Sequence, residues 1–199
     1  MHFSTDRVQD ICDWVFILCS LKKGENEMVQ RKPIFMIHKH QASHLHYDLR
    51  LEIDGVLKSW ALRELPSAPS KPVLAIQVSD HPFWYRHFEG IIPEGHYGAG
   101  PVMVWEKGLY TGFMKNHKGE DISLSESLRQ GYMLIWLEGE KLKGGYILVR
   151  LSKKQRWILI KMEDEYAHHE GRKPASWNRS VKSGKTLTQI LLKKKNNDS

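Results

Sequence analysis

Residues 38–50 hold four histidines, an aspartate and an arginine: His38, His40, His44, His46, Asp48 and Arg50. His46, Asp48 and Arg50 alternate with Leu45, Tyr47, Leu49 and Leu51. A strand sends successive side chains to opposite faces, so imidazole, carboxylate and guanidinium gather on one face and apolar groups on the other. His40, His46 and Asp48 make a two-histidine, one-carboxylate set, which can hold a divalent cation and leave positions open for water and substrate oxygens. Such ligands suit Mn²⁺, Fe²⁺ or Zn²⁺, and the lack of a nearby cysteine argues against a closed structural zinc site. Arg50 lies one strand repeat beyond Asp48. Its planar fork matches phosphate oxygens; the competing reading is an ion pair with Asp48 or Glu52. Together these groups suit metal-assisted chemistry on a phosphorylated substrate.

A second candidate group is Asp80-His81-Pro82-Phe83-Trp84-Tyr85, placed after a strand and opening a loop. His81 can act as a general acid or as a neutral donor to phosphate, and Tyr85 as a second donor. A purely structural His-Pro turn is the alternative. Trp84 is the best placed of the chain's seven tryptophans to stack on a base. The run from Ile92 to Gly100 holds three glycines, at 95, 98 and 100. It lacks the Gly-Lys-Ser/Thr of a Walker loop and reads as a rigid turn, with Glu94 or His96 able to face a pocket.

These residues need a scaffold. Asp54-Gly55 is a two-residue hairpin signal, which sets Ile53 opposite Val56, Arg50 opposite Ser59 and Asp48 opposite Ala61. A small residue opposite the aspartate leaves room for an ion, and Ser59 can orient the guanidinium or donate to phosphate. The other face then holds Leu49, Leu51, Ile53, Val56, Trp60 and Leu62, which reads as core. Strands are expected at 34–40, 44–53, 56–62, 73–78, 102–106, 109–114, 132–137, 145–151 and 157–162. Helices are expected at 123–130, capped by Ser123 or Ser125, at 163–169, and at 186–195. Many short strands separated by turn signals indicate a mainly β fold, a compact antiparallel barrel with a few short flanking helices.

The 199 residues suit one compact domain with appendages, and 41% hydrophobic and 27% charged content are globular values. The expected division is an N-terminal extension or linker over 1–32, the barrel over 33–169 and a basic tail, part helical, over 170–199. The net charge is +7; residues 170–199 carry eight Lys or Arg against two acids. This excess suits attraction to a phosphate backbone, or a solvated tail. Cys12 and Cys19 cannot build a disulfide framework and read as thiols of a reducing compartment. The apolar run at 11–21 is too short to span a bilayer and lacks signal-peptide features. The expectation is a cytoplasmic protein with no membrane partner.

FMIHKHQASHLHYDLRLEIDGVLKSWAL (35–62) and SDHPFWYRHFEGIIPEGHYGAGPVMVWEKG (79–108), in that order, resemble the 3′-phosphoesterase family. Its members occur as a module of bacterial DNA ligase D and as free-standing archaeal and bacterial proteins. The resemblance covers about residues 33–162. It implies a Mn²⁺-dependent β-barrel enzyme that heals 3′ ends, with other divalent cations as substitutes. Such an enzyme removes a terminal 3′ ribonucleoside from a primer strand and hydrolyses the 3′-phosphate left behind to a hydroxyl. It further implies His40, His46 and Asp48 as metal ligands, Arg50 and His81 as the phosphate-contacting catalytic pair, and Tyr85 as a further active-site residue. His38, Ser59 and Trp84 are candidates for supporting or substrate-binding roles. The implied partners are DNA or DNA/RNA primer-template 3′ ends, with a separate ligase, polymerase or end-binding protein.

The sequence departs from the family pattern where His38 replaces a glutamine, Arg63-Glu64 a lysine and Val73 a basic residue. Residues 1–32 do not align with the family's N-terminal segment. The rival readings are a cupin-like oxygenase or isomerase, and a non-catalytic nucleic-acid-binding barrel.

Overall fold

A computed structural model describes residues 31–66, 71–151, 155–167 and 175–195. The N-terminal extension expected over 1–32 therefore lies almost wholly outside the described residues, as do Cys12 and Cys19. Among the described residues no helix is long and apolar enough to cross a membrane.

The hairpin forms as its sequence dictates. Strand β2 (Leu45–Ile53) turns through Asp54 and Gly55, both with positive φ, into β3 (Val56–Leu62). The register puts Ile53 against Val56, Arg50 against Ser59 and Asp48 against Ala61. β1 (Ile34–Gln41) pairs on the other side of β2, bringing His40 opposite His46 and His38 opposite Asp48.

β4 (Val73–Pro82), β5 (Gly90–Ile92), β6 (Gly100–Gly112), β7 (Tyr132–Gly139), β8 (Lys143–Arg150) and β9 (Arg156–Lys161) complete the sheet. Its order is β1-β2-β3-β4-β9-β8-β7-β6, and β6 pairs back onto β1. The result is a closed eight-stranded antiparallel barrel, with β5 added along the outer part of β6. Closure leaves those eight strands without a free edge. Among the described residues helices are few and short: the α-helices Leu124–Gln130 and Leu187–Lys195 and the 3-10 turns Phe83–His87 and Ala175–Asn178.

The inward side chains of all eight barrel strands make one core, built on Phe35, Leu51, Trp60, Trp105, Tyr110, Met133, Leu148 and Trp157. The polar face of β1, β2 and β3 consequently points outward. It is roofed by the Phe83–His87 turn, whose Phe83 and Tyr85 pack on a small outer cluster of Met36, Leu57 and Val104.

Three expectations need correction, and one strand, β5, is unexpected. The strands read separately at 102–106 and 109–114 are one long strand, because Gly108 is a point of close backbone approach and not a break. A Cβ there would meet the Glu138 carbonyl oxygen at 2.3 Å. β5 carried too few residues to show a period. His81 does not open a loop; it ends β4, which runs to Pro82. The helix expected at 163–169 is absent over its described part, 163–167. Asp164 instead accepts the Tyr166 amide, an Asx turn that competes with a helix. The same carboxylate receives the buried Lys161 ammonium and the Gly145 amide.

Residues 177–195 lie on the barrel. Trp177 meets Trp105 edge to face at 5.3 Å, its carbonyl accepts the Trp105 indole N–H, and Ile190 joins the core.

Candidate metal and phosphate site

Backbone carbonyls fix the tautomers of the two outer histidines. Nε2–H of His40 donates to the Gly98 carbonyl at 2.8 Å, and Nδ1–H of His46 donates to the His44 carbonyl at 3.0 Å. A carbonyl only accepts, so each ring presents its other nitrogen as a lone pair. His40 Nδ1 lies 3.9 Å from one Asp48 carboxylate oxygen, and His46 Nε2 lies 3.6 Å from the other. Both separations exceed a hydrogen bond. The three ligand atoms fall within 4.8 Å of one another. Two lone pairs and a carboxylate facing one point repel unless a cation sits among them. Carbonyl-anchored imidazoles are also the usual support of metal-ligating histidines. Burial lowers the His40 pKa, which favours the neutral ring that a metal requires. The residues present fit a divalent cation.

Arg50 fills the next repeat of the same face and is 3% exposed. Its Nε–H donates to His38 Nδ1 at 3.1 Å, and Nη1 donates to Ser59 Oγ at 2.7 Å and His81 Nδ1 at 2.8 Å. Nη2 donates to Asp48 Oδ2 at 3.1 Å. Four of the five guanidinium N–H groups are thereby held by protein, which leaves one Nη2 hydrogen. The ion pair with Asp48, read from sequence as the rival to a phosphate role, is present. Glu52 instead accepts the Ile34 amide. A buried guanidinium costs several kcal/mol in desolvation unless paired and fully bonded, and this network offsets that cost.

His38 is fully buried, and both its nitrogens are in use: Nδ1 accepts from Arg50, and Nε2–H donates to the Phe88 carbonyl at 2.9 Å. Burial, then the Arg50 charge, holds its pKa well below the usual range. It therefore links Arg50 to the segment that follows the 3-10 turn.

Ser59 Oγ donates to the Leu57 carbonyl while accepting from Arg50. His81 reaches this group because one extra residue on β4 shifts the β3–β4 register between Leu57 and Ser59. Bulges re-aim side chains in this way beside active sites. With Nδ1 accepting from Arg50, the His81 proton sits on Nε2. Burial and then Arg50 lower its pKa, which favours the neutral ring. The Tyr85 ring lies 5.1 Å from the guanidinium carbon and 4.9 Å from the His81 ring. Trp84, beside it, is 64% exposed.

His38, His40, His46, Asp48, Arg50, Ser59, His81 and Tyr85 thus meet on one outer face, with Trp84 at its rim, while the His44 side chain is exposed. Glu94 and His96 are exposed, and it is the loop's backbone, through the Gly98 carbonyl, that serves the site. The carbonyls of His44, Phe88 and Gly98 had no side-chain signature; only the glycine density near Gly98 marked a place where backbone could approach. Val73 packs in the core, and Arg63 and Glu64 are exposed.

The family described as the DNA Ligase D 3′-phosphoesterase domain matches residues 38–150. The chain belongs to this family. It is 45% identical over 134 residues to the multifunctional non-homologous end joining protein LigD of Pseudomonas aeruginosa, a match covering 65% of this chain and 15% of that protein. The protein of the same name from Mycolicibacterium smegmatis is 39% identical over 150 residues, 72% of this chain and 18% of the relative. The multifunctional non-homologous end joining DNA repair protein LigD of Mycobacterium tuberculosis is 38% identical over 132 residues, 66% and 16%. The chain thus matches less than a fifth of these relatives' length. The family match takes in His38, His40, His46, Asp48, Arg50, Ser59, His81, Trp84 and Tyr85, and stops short of the segment 175–195 that packs on the barrel.

Proposed function

We propose that this phosphoesterase-family chain is a metal-dependent 3′-end-healing enzyme of DNA repair. Its substrates would be DNA or DNA/RNA primer-template 3′ ends. It would remove a 3′-terminal ribonucleoside and then the remaining 3′-phosphate, leaving a hydroxyl. The relatives' names refer to non-homologous end joining, and that pathway supplies damaged ends needing such repair before a ligase or polymerase, supplied separately, can act. The observation carrying the proposal is the pair of tautomer-fixed imidazoles facing Asp48 next to a buried, bonded arginine.

His40 through Nδ1, His46 through Nε2 and Asp48 through its carboxylate would hold the cation, Mn²⁺ being our assignment. When bound, such a cation supplies Lewis-acid polarisation of a phosphoryl oxygen. The protein's own part is positioning and charge. The remaining Nη2–H of Arg50 points its charge at a non-bridging oxygen, where it offsets charge gained in the transition state. His81 offers Nε2–H as a neutral donor to the phosphate, since its lowered pKa disfavours the imidazolium that a general acid needs. In the first reaction water attacks phosphorus and the bond to the terminal ribonucleoside's 5′ oxygen breaks, leaving the 3′-phosphate; in the second, water attacks that phosphate and the bond to the strand's 3′ oxygen breaks. In each, the departing oxygen takes up a proton released by the attacking water and leaves as a hydroxyl. Trp84 stacks on a base, and Tyr85 keeps the guanidinium in place from above.

The test is a labelled duplex with a recessed 3′-phosphate, or with one terminal ribonucleotide, incubated with Mn²⁺. Dephosphorylation in the first case and shortening in the second are expected. Intact label in both would defeat the proposal. A cupin-like oxygenase would instead respond to Fe²⁺ and a small organic substrate. A purely binding barrel would keep its DNA affinity without His46 and Asp48.

A further inference from the structure

The 3-10 turn that roofs the site carries Arg86 and His87 directly after Tyr85. The segment 180–184 docks beside this turn. Glu89 does the anchoring: one carboxylate oxygen accepts both the Ser180 hydroxyl and the Val104 amide. Val181 donates its amide to the Val104 carbonyl and packs on the outer cluster with Phe83 and Tyr85. Ser180 Oγ then caps the amides of Lys182 and Ser183. This turn delivers the Lys182 ammonium to the His87 carbonyl at 2.6 Å. Lys107, exposed on β6, stands opposite Met36 of the same cluster. The Arg86 guanidinium carbon lies over the Phe83 ring, 3.8 Å from its centroid.

Three cations, Arg86, Lys107 and Lys182, and the His87 imidazole therefore rim one edge of the site. The acid among them, Glu89, is committed to Val104 and Ser180. Desolvation and then the charges of Arg86, Lys182 and Lys107 hold His87 below its ordinary pKa, as expected where these cations crowd together. We propose that Arg86, His87, Lys107 and Lys182 form a ledge binding the phosphodiester backbone of the strand whose 3′ end enters the site. The proposal rests on the reading of the site as a 3′-end phosphoesterase. Arg86 and His87 follow directly after Tyr85, whose ring lies 5.1 Å from the Arg50 guanidinium carbon, so the ledge borders the place of the phosphate at Arg50 and is free to take neighbouring ones. Lys182 lies beyond the family match at 38–150. It gives one of the eight basic residues of 170–199 a place at the site.

The experiment measures binding of the full chain to a fluorescent primer-template with a recessed 3′-hydroxyl, a ligand that cannot be hydrolysed as a phosphoester end. Affinity is followed by anisotropy across a salt series. K107Q/K182Q should weaken binding about tenfold and flatten the log–log salt slope by about 1.8, two contacts at about 0.9 each. Glutamine keeps a donor for the His87 carbonyl, and circular dichroism checks the fold. K118Q/K143Q removes the same charge from exposed positions elsewhere and should leave the slope unchanged. Equal losses from both pairs, or none from the first, would overturn the ledge. So would poly-glutamate binding as tight as the oligonucleotide's, with oligonucleotide affinity indifferent to the substitutions, which would assign the edge to an acidic protein. Loss of affinity in K107Q/K182Q, with a native chain that fails to process 3′ ends, would support the ledge while defeating the catalytic reading.

Discussion

Arg50 shows how one side chain can be both buried and useful. Four of its N–H groups are tied to His38, Ser59, His81 and Asp48, so the guanidinium is held in one orientation before substrate arrives. Preorganised charge of this kind costs no rearrangement at the moment of reaction. Lysine has no fork and cannot reproduce those bonds. Arg50→Lys is expected to lower turnover of a 3′-phosphorylated end about 10²–10³-fold while Mn²⁺ affinity, read by electron paramagnetic resonance, stays within about threefold. His46→Ala should lose metal affinity and turnover together. Normal turnover by the Arg50 variant would remove its assigned role. His38 makes a separate prediction. His38→Ala strands two buried partners, Arg50 Nε and the Phe88 carbonyl, at about 1–3 kcal/mol each. Thermal denaturation should show that loss, and His38→Gln, whose amide can also donate and accept, should recover most of it. Equal melting temperatures for the alanine and glutamine variants would contradict the bridging role.

The elements around these residues were legible in unequal measure. The β2–β3 register follows from a two-residue turn and an alternating pattern, both local, so Arg50–Ser59 and Asp48–Ala61 could be derived by counting. The reach of His81 could not. It depends on an extra residue in β4, which only the sheet partner reveals. Gly108 looked like a break for a similar reason: a glycine has the same letter whether it ends a strand or admits a neighbour. The glycine loop tests the distinction. Gly98 has φ +76, and a Cβ there would stand 3.3 Å from His40 Cε1. Gly98→Ala is therefore strained and presses on the His40 ring proposed to hold the metal, and Mn²⁺ affinity should fall several-fold with modest loss of stability. At Gly100 a Cβ would lie 2.0 Å from the Gln41 carbonyl oxygen. Gly100→Ala should instead unfold the β1–β6 seam, seen as a drop in urea midpoint far beyond that of Gly98→Ala. A reversal of that ranking would mean that the two glycines had been assigned the wrong constraints.

At the scale of the whole molecule, the barrel's closure brings charged and phenolic groups inside, and they set its response to alkali. Lys141 donates to the carbonyls of Trp105 and Arg179 and sits over the Trp105 ring, tying the β7–β8 turn to the C-terminal segment. Desolvation lowers its pKa from 10.5 to about 8 against the opposing pull of Glu106. Lys161, buried beside Asp164, is lowered for the same leading reason. Between about pH 8 and 10.5 the unfolded chain keeps a proton on Lys141 that the folded chain has released. The unfolded state then binds more protons, so stability rises with pH across that window. Tyr110 and Tyr146 act in the opposite sense. Burial raises both, so above about pH 10 the unfolded phenols ionise while the folded ones stay protonated, and stability falls. Urea midpoints from pH 7 to 11 should therefore climb, pass a maximum near pH 9–10 and drop. Lys141→Met should reduce the climb, whatever it does to absolute stability through lost hydrogen bonds, and leave the drop above pH 10 in place. Tyr146→Phe should soften the drop and leave the climb. A Lys141→Met profile parallel to the native one over pH 8–10 would mean that this ammonium folds charged, its two carbonyl bonds and Glu106 outweighing the cost of burial.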